Sequence, residues 1–439
     1  MQIQNYAEAL AFIHGRRKFT KSPDLARMRK FAHYLGDPQQ KVKFIHVTGT
    51  NGKGSTVAYL SNLLQSQGFT VGTFTSPFIT RFNERIAING VPIADEKLVE
   101  LVQKIKPVVE RLDAEYAGEG PKEFEVVTML MFLYFAEIVP DYAVVEVGIG
   151  GTYDSTNILT PVLSVITEVA LDHTQILGDT LAQIAQVKAG IIKAKRPVVV
   201  GALDAESLQV ITQVANEKEA KLYTTPSDYS WSLAKTQDFW GQIFTYNGFG
   251  KSYRKLKIKL LGDYQVANAS LALSAFLCLA QLEKFTPRES EIRKALITTS
   301  WPARFELINE EPLVVLDGAH NLDAVKKLAQ ILKTRFSERQ IYVVMSVLAD
   351  KRAPEMFACL QALPNVTLSA VEFDAPRAVA DFEFLQGDGA IKYYSDWREV
   401  LPIVLREMSA DDMLLFTGSL YFVSEVRNYF VSEVRNYFV

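Results

Sequence analysis

The stretch FIHVTGTNGKGSTVAYLSNLLQS, residues 44–66, limits the folds open to this 439-residue chain more than any other segment. It opens with an apolar-rich run, passes through a turn holding Gly49, Gly52 and Gly54, and continues with apolar residues at helical spacing. A short run of that kind leading straight into a helix reads as a strand covered on both faces. The glycines then let the backbone turn so that N–H groups at the helix N-terminus attract phosphate, with Lys53 reaching the outer oxygens and Ser55 nearby. Thr50 and Asn51 complete the turn. The letters miss the common pattern G-x-x-x-x-G-K-S/T twice: Val47 stands five residues before Gly52, and Gly54 follows Lys53. A plain glycine turn is the competing reading, and the strand-then-helix context favours the phosphate loop.

The same alternation recurs in TVGTFTS, DYAVVEVG, PVLSVITEVA and RPVVVGAL, with amphipathic stretches such as TLAQIAQVKAGIIKAK between them. Buried runs separated by helices predict an α/β domain with a parallel sheet. Between about 220 and 262 the texture becomes polar and aromatic, which predicts antiparallel hairpins appended to that sheet. A helix over ANASLALSAFLCLAQLEKF and another near 289–298 follow, and Ser300, Trp301 and Pro302 then break the periodicity. The remaining third repeats strand, loop, helix and predicts a smaller Rossmann-like α/β domain. The expected boundaries are 1–298 for the phosphate-loop domain and 299–430 for the second domain. VSEVRNYF at 423–430 recurs at once at 431–438; an offset of eight turns a helix by about 80°, so 431–439 reads as a duplicated tail beyond the last helix.

Hydrophobic residues make up 48% and charged residues 22%, an ordinary globular composition. With 47 basic against 50 acidic residues, no long-range field draws nucleic acid or anionic lipid. The two cysteines, Cys278 and Cys359, lie in apolar helical patterns and read as buried thiols, not a disulfide framework. The N-terminus lacks a signal-peptide pattern, and no apolar run approaches the ~20 residues of a membrane span. A cytoplasmic monomer is the expectation.

Several residues stand where strands end. Glu146, alone among Val145 and Val147, is costly to bury without a cation or donors, and magnesium is the natural cation beside phosphates; capping of its own loop is the alternative. Asp172 and His173 end a further run, although histidine is an unusual magnesium ligand. Lys188 stands beside Ala189 and Gly190, while lysines on helices are usually solvated. In VVLDGAHN, Asp317 suits ribose hydroxyls and His320 lies close by, while Arg304 suits phosphate. Surface roles compete for each.

Taken together, HVTGTNGKGS, TSPFITRFNERI, EVGIGGTYDSTN, ALDHTQILG, KAGIIK, WPARFE and LDGAHN resemble the folylpolyglutamate synthase family, relatives of the Mur ligases, in the family's order and over nearly the whole chain. The resemblance implies an ATP-dependent ligase that adds L-glutamate to a reduced folate through an acyl phosphate, with ATP and Mg2+ required. It implies phosphate binding by Gly52, Lys53, Gly54 and Ser55, metal binding by Ser76 and Glu146 with His173 near a second ion, and N6-carboxylysine at Lys188. Arg304 and Asp317 match positions contacting ATP phosphate and nucleoside, with His320 and Asn268 adjacent, and Arg85 suits an anionic substrate. A ligase that also accepts dihydropteroate, and a nucleotide-regulated binding protein that does not ligate, are the alternatives.

Overall fold

The computed structural model describes residues 3–17, 25–234, 239–349, 351–373, 375, 378, 379, 382 and 391–432. The chain forms two compact units. The first comprises 1–235, 243–258 and 265–299, and the second 236–242, 259–264 and 300–439.

The first unit is built on eight strands: β1 Phe44–Thr48, β2 Val71–Phe74, β3 Ile86–Ile88, β4 Val91–Pro92, β5 Tyr142–Glu146, β6 Leu163–Ile166, β7 Val198–Val200 and β8 Leu222–Tyr223. Their order is β4-β3-β2-β5-β1-β6-β7-β8. The strands from β2 to β8 pair in parallel, and β3 and β4 add an antiparallel edge. Every residue of β1 and of β5 is buried, which is why both read as unbroken runs. One face packs Phe44, Phe74 and Val145 against Phe132 and the N-terminal helices. The other packs Val147, Ile166, Val198 and Val200 against Ala185, Ala189 and Ile211. Glu146 pairs in register with Val47, so the end of β5 lies beside the start of the glycine turn.

The hairpins expected to extend this sheet instead make one of their own. β9 Tyr229–Leu233, β10 Gln242–Gly248 and β11 Lys251–Ile258 are ordered β11-β10-β9. Their alternation leaves one apolar face, with Phe244, Tyr246, Tyr253, Leu256 and Ile258 buried. Two hydroxyls anchor it: Tyr229 donates to the Val200 carbonyl at 2.7 Å, and Tyr246 pairs with Ser274 at 2.8 Å. Ser274 belongs to the helix Asp263–Glu283, which corrects another expectation. This helix is long and apolar enough to cross a membrane by length and composition, yet 83% of its apolar window is packed inside the protein. An apolar surface all round suits a core helix. Cys278 is buried there and its thiol is pushed up to about 12 by burial. Cys359 is only half-buried, against expectation.

The second unit holds β12 Glu306–Asn309, β13 Leu313–Leu316, β14 Ile341–Met345, β15 Val366–Val371, β16 Lys392–Tyr394 and β17 Met413–Thr417. The order is β12-β13-β17-β14-β15-β16, parallel apart from β12. Val315, Val325, Leu332, Met345, Phe357 and Leu415 belong to its core. Trp240, from the short segment 236–242, lies 6.0 Å from the Phe305 ring and 6.1 Å from that of Phe336. The last helix is Leu420–Ser432, and residues 433–439 of the duplicated tail lie outside the described residues.

Gly72 in β2 has no room for a side chain, since a Cβ there would sit 2.9 Å from the Phe135 ring. Gly72→Ala overpacks that contact, and thermal unfolding should show a loss of about 1–3 kcal/mol.

Candidate active site

The polar groups of the first unit hang from the edge where β5, β1 and β6 stop. Between β1 and the helix Lys53–Ser66, the turn is pressed against its neighbours. A Cβ on Gly49 would collide with the Thr167 hydroxyl, and one on Gly52, where φ is +82°, with the Asn268 amide. Both positions therefore need glycine. Thr167 Oγ1 donates to the Asn51 carbonyl at 2.6 Å, the Asn51 amide donates to Glu168 at 2.7 Å, and the Thr50 N–H donates to the Glu168 carbonyl at 2.9 Å. On the other side, Gln265 donates to Ser55 Oγ at 3.3 Å and Asn268 to Gln265 at 3.2 Å. Lys53 curls over the turn, Nζ donating to the carbonyls of Gly49 at 3.0 Å and Thr50 at 3.1 Å.

Glu146 is 4% exposed, and the Ser76 N–H donates to its Oε2 at 3.2 Å, which brings these two sequence candidates together. The glycine segment after Glu146 is stitched to the helix Leu181–Ala189. Thr152 N–H and Oγ1 both donate to the Val187 carbonyl, at 2.9 and 3.0 Å, and Asn157 donates to the carbonyls of Thr152 and Gly190, each at 3.0 Å. Gly151 lies so close that a Cβ would be 2.6 Å from the Val187 carbonyl oxygen. Beneath it, His46 Nε2 pairs with Thr156 Oγ1 at 2.8 Å, and burial pushes the imidazole down to about 3, keeping it neutral. Asp154 accepts from the Ile149 and Thr156 N–H groups, at 3.1 and 3.0 Å, and so fixes the turn.

Lys188 ends up 2% exposed, not solvated as helix lysines usually are. Burial pushes its ammonium down to about 7; Lys53 adds to this, while Asp172 and Glu168 oppose it. The helix stops at Ala189, short of Lys193 and Lys195, because the chain turns at Gly190 against Thr152. Asp172 and His173 stand beyond the end of β6, in the loop, where Asp172 Oδ1 accepts the His173 N–H at 2.9 Å and His173 precedes a one-turn helix at φ +50°. Arg85 lies over the rings of Phe78 and Phe82, at 5.3 and 5.5 Å.

In the second unit, Asp317 follows β13 and is 3% exposed. Its oxygens accept the N–H groups of Phe305 and Ala319, each at 2.9 Å, so its carboxylate ties the WPARFE segment to the strand end. Burial raises its pKa and Arg304 opposes this. Arg304 donates to the Ala303 carbonyl at 3.1 Å, and His320 Nδ1 pairs with the Gly318 carbonyl at 2.8 Å.

Two domain families match: residues 110–276 as Mur ligase middle domain, and 303–420 as Mur ligase, glutamate ligase domain. The chain is 41% identical over 425 residues to the dihydrofolate synthase/folylpolyglutamate synthase of Bacillus subtilis (strain 168), and 41% identical over 425 residues to the folylpolyglutamate synthase of Lacticaseibacillus casei. Each alignment covers 96% of this chain and 98% of the relative. This chain belongs to the folylpolyglutamate synthase family. The solved structure of apo L. casei FPGS superposes with a TM-score of 0.88 at 39% identity, covering 98% of this chain and all of that one. The Mycobacterium tuberculosis folylpolyglutamate synthase complexed with ADP gives 0.88 at 28% identity, covering 97% of this chain and 98% of that one.

Glu168 and Asn268 show what sequence reasoning caught unevenly in this family member. Glu168 sits near the end of β6 as Glu146 does at the end of β5, and the strand-end argument applied to VITEVA would have found it. Thr167, Asp154 and Gln265 gave no such signal. Among the described residues no three His, Cys, Asp or Glu side chains gather into a metal cage. Magnesium fits all the same, because it takes one or two protein ligands and fills its octahedron with phosphate oxygens and water; the buried carboxylate of Glu146 beside the turn suits that requirement.

The depressed ammonium of Lys188 has a pH signature. Its folded pKa of about 7 lies below the ordinary 10.5, so the unfolded chain binds the extra proton between those values and stability rises with pH across that window. In CO2-free buffer, Lys188→Met should be more stable than the parent at and below pH 7. That advantage should shrink by about 1.4 kcal/mol per pH unit above it, as read by denaturant unfolding.

Proposed function

We infer that this protein is an ATP-dependent ligase that joins L-glutamate to the glutamyl γ-carboxylate of a reduced folate. The observation that carries this is similarity without interruption, across both domains, to relatives named for that reaction. A folate carboxylate oxygen attacks the γ-phosphorus, the bond to the β-phosphate oxygen breaks, and ADP leaves an acyl phosphate. The glutamate nitrogen, having lost a proton, then attacks the acyl carbon, and phosphate departs. Neither step needs a protein nucleophile; alignment and neutralisation of charge are the task.

The N–H groups at the start of the helix Lys53–Ser66 hold phosphate oxygens, and Lys53 exchanges its two carbonyl contacts for the charge of the outer phosphate. Ser55 is held towards the turn by Gln265. Mg2+, when bound, supplies Lewis-acid charge beside the phosphates, with Ser76, Glu146 and His173 as the groups that hold it. Lys188 is carbamylated: an amine titrating near 7 is largely neutral at pH 8, so its lone pair adds to CO2 with release of a proton, turning a buried amine into a carboxylate that would serve as a further magnesium ligand. Arg304, Asp317 and His320 serve the nucleotide, Asp317 chiefly by fixing the loop that bears Arg304, and Arg85 meets the anionic substrate. All these groups come from one chain, and the protein acts as a cytoplasmic monomer.

Purified protein supplied with ATP, Mg2+, tetrahydrofolate and labelled glutamate should yield a labelled folate amide with one phosphate per bond. A dihydropteroate arm reads the second acceptor, and no amide from either acceptor would sink the assignment. Lys53→Ala and Glu146→Ala should each lower kcat by at least roughly 10²–10³-fold with an unchanged circular dichroism spectrum. Lys188→Ala should be inactive and regain part of its rate on addition of formate or acetate; absence of rescue would refute the carbamate.

A further inference from the structure

The segment that continues β6, residues 167–170, grips the middle of the glycine turn. Thr50 gives its N–H to the Glu168 carbonyl at 2.9 Å, and its hydroxyl both accepts the Ala170 N–H at 3.0 Å and donates to the Ala170 carbonyl at 3.1 Å. Asn51 is held at two points. Its backbone carbonyl accepts from Thr167 Oγ1 at 2.6 Å, and its side-chain amide donates to Glu168 Oε1 at 2.7 Å. The gripping segment is itself fixed. The Thr167 N–H donates to the Thr48 carbonyl at 2.8 Å and the Gly201 N–H to the Ile166 carbonyl at 2.9 Å, while a Cβ on Gly201 would lie 2.1 Å from the Thr167 carbonyl oxygen.

These bonds divide the labour within the turn. The Thr50 N–H, the Thr50 hydroxyl and one N–H of the Asn51 amide are committed to 167–170. The first-turn N–H groups of the helix that begins at Lys53 are left for an anion. Glu168 is the odd member of the set, a half-buried carboxylate beside a turn shaped for phosphate. By charge alone it opposes the ligand. What it gives in return is the bond to Asn51, since a charge-assisted hydrogen bond is about twice as strong as a neutral one.

We propose that Glu168 is a positioning residue for the nucleotide: through Asn51 it holds the turn in its phosphate-binding shape before ATP arrives. This rests on the reading of 49–55 as the phosphate turn. The cost of ordering the turn is then met in folding and not on binding, which raises affinity without any contact between Glu168 and the phosphates.

Isothermal titration calorimetry with ADP and Mg2+, on the full-length protein and without folate or glutamate, tests this. Glu168→Ala should bind ADP at least about tenfold more weakly than the parent, the size of one hydrogen bond to a charged group. Glu168→Gln keeps an acceptor oxygen within reach of Asn51 and should recover most of that loss. Asn51→Ala should weaken ADP binding in the parent and cost clearly less in the Glu168→Ala background, because the bond is already gone there. Charge alone predicts the opposite sign, since deleting an anion beside the phosphates tightens binding. ADP binding by Glu168→Ala as tight as the parent's or tighter, or purely additive losses in the double variant, would overturn the proposal. A lower Tm with unchanged ADP affinity would overturn it too, as the mark of a purely structural contact. The readout is separate from ligation: a parent that binds ADP yet joins no glutamate refutes the ligase reading and leaves Glu168→Ala to decide this one, whereas a parent that binds no ADP sinks both.

Discussion

β1 lies between β5 and β6 with all five of its residues buried, and this one constraint organises the first unit. A strand paired on both edges and covered on both faces cannot shift its register without moving every apolar side chain to the wrong face. The points where β1, β5 and β6 end are therefore fixed relative to one another. Glu146 is placed against Val47, and the Thr167 N–H donates to the carbonyl of Thr48, the last residue of β1, at 2.8 Å. Positional accuracy at the glycine turn is inherited from the sheet.

The sheet also decides the electrostatics. Lys53 lowers the affinity of Lys188 for protons, and Lys188 is almost wholly shielded from water. Two cations set close together in a dry place are unfavourable until anions arrive or one cation changes its charge. The proposed ligation would supply the first, by bringing phosphates and carboxylates to the edge where β1, β5 and β6 end. The neutral amine of Lys188 makes the second chemically accessible.

How much of this was legible in the sequence depended on whether a residue's neighbours were local. The strand, turn and helix of 44–66 were readable because each is set by its own spacing, and Glu146 because a carboxylate among valines needs an explanation. The burial of Lys188 was not readable: the period of 181–189 gives a helix but not the glycine segment, 30 residues upstream, that covers it. Gly151 and Gly190 were the only trace, since close backbone approach demands glycine. The separate sheet of β9, β10 and β11 depended on Tyr229 and Tyr246 finding Val200 and Ser274, partners no local pattern names. Asp317 was found as a strand-end acid, yet the two hydrogen bonds it accepts from the Phe305 and Ala319 N–H groups show only in three dimensions.

The division of the chain bears on the order of its synthesis. Residues 236–242 belong to the second unit but leave the ribosome well ahead of its main part, 300–439. Trp240 emerges before Phe305 and Phe336, the rings it rests on. At about 5–20 residues per second, a large aromatic side chain stays uncovered for seconds while the first unit completes itself through the helix Glu289–Thr298. During that interval the uncovered ring is open to chaperones and to mispairing.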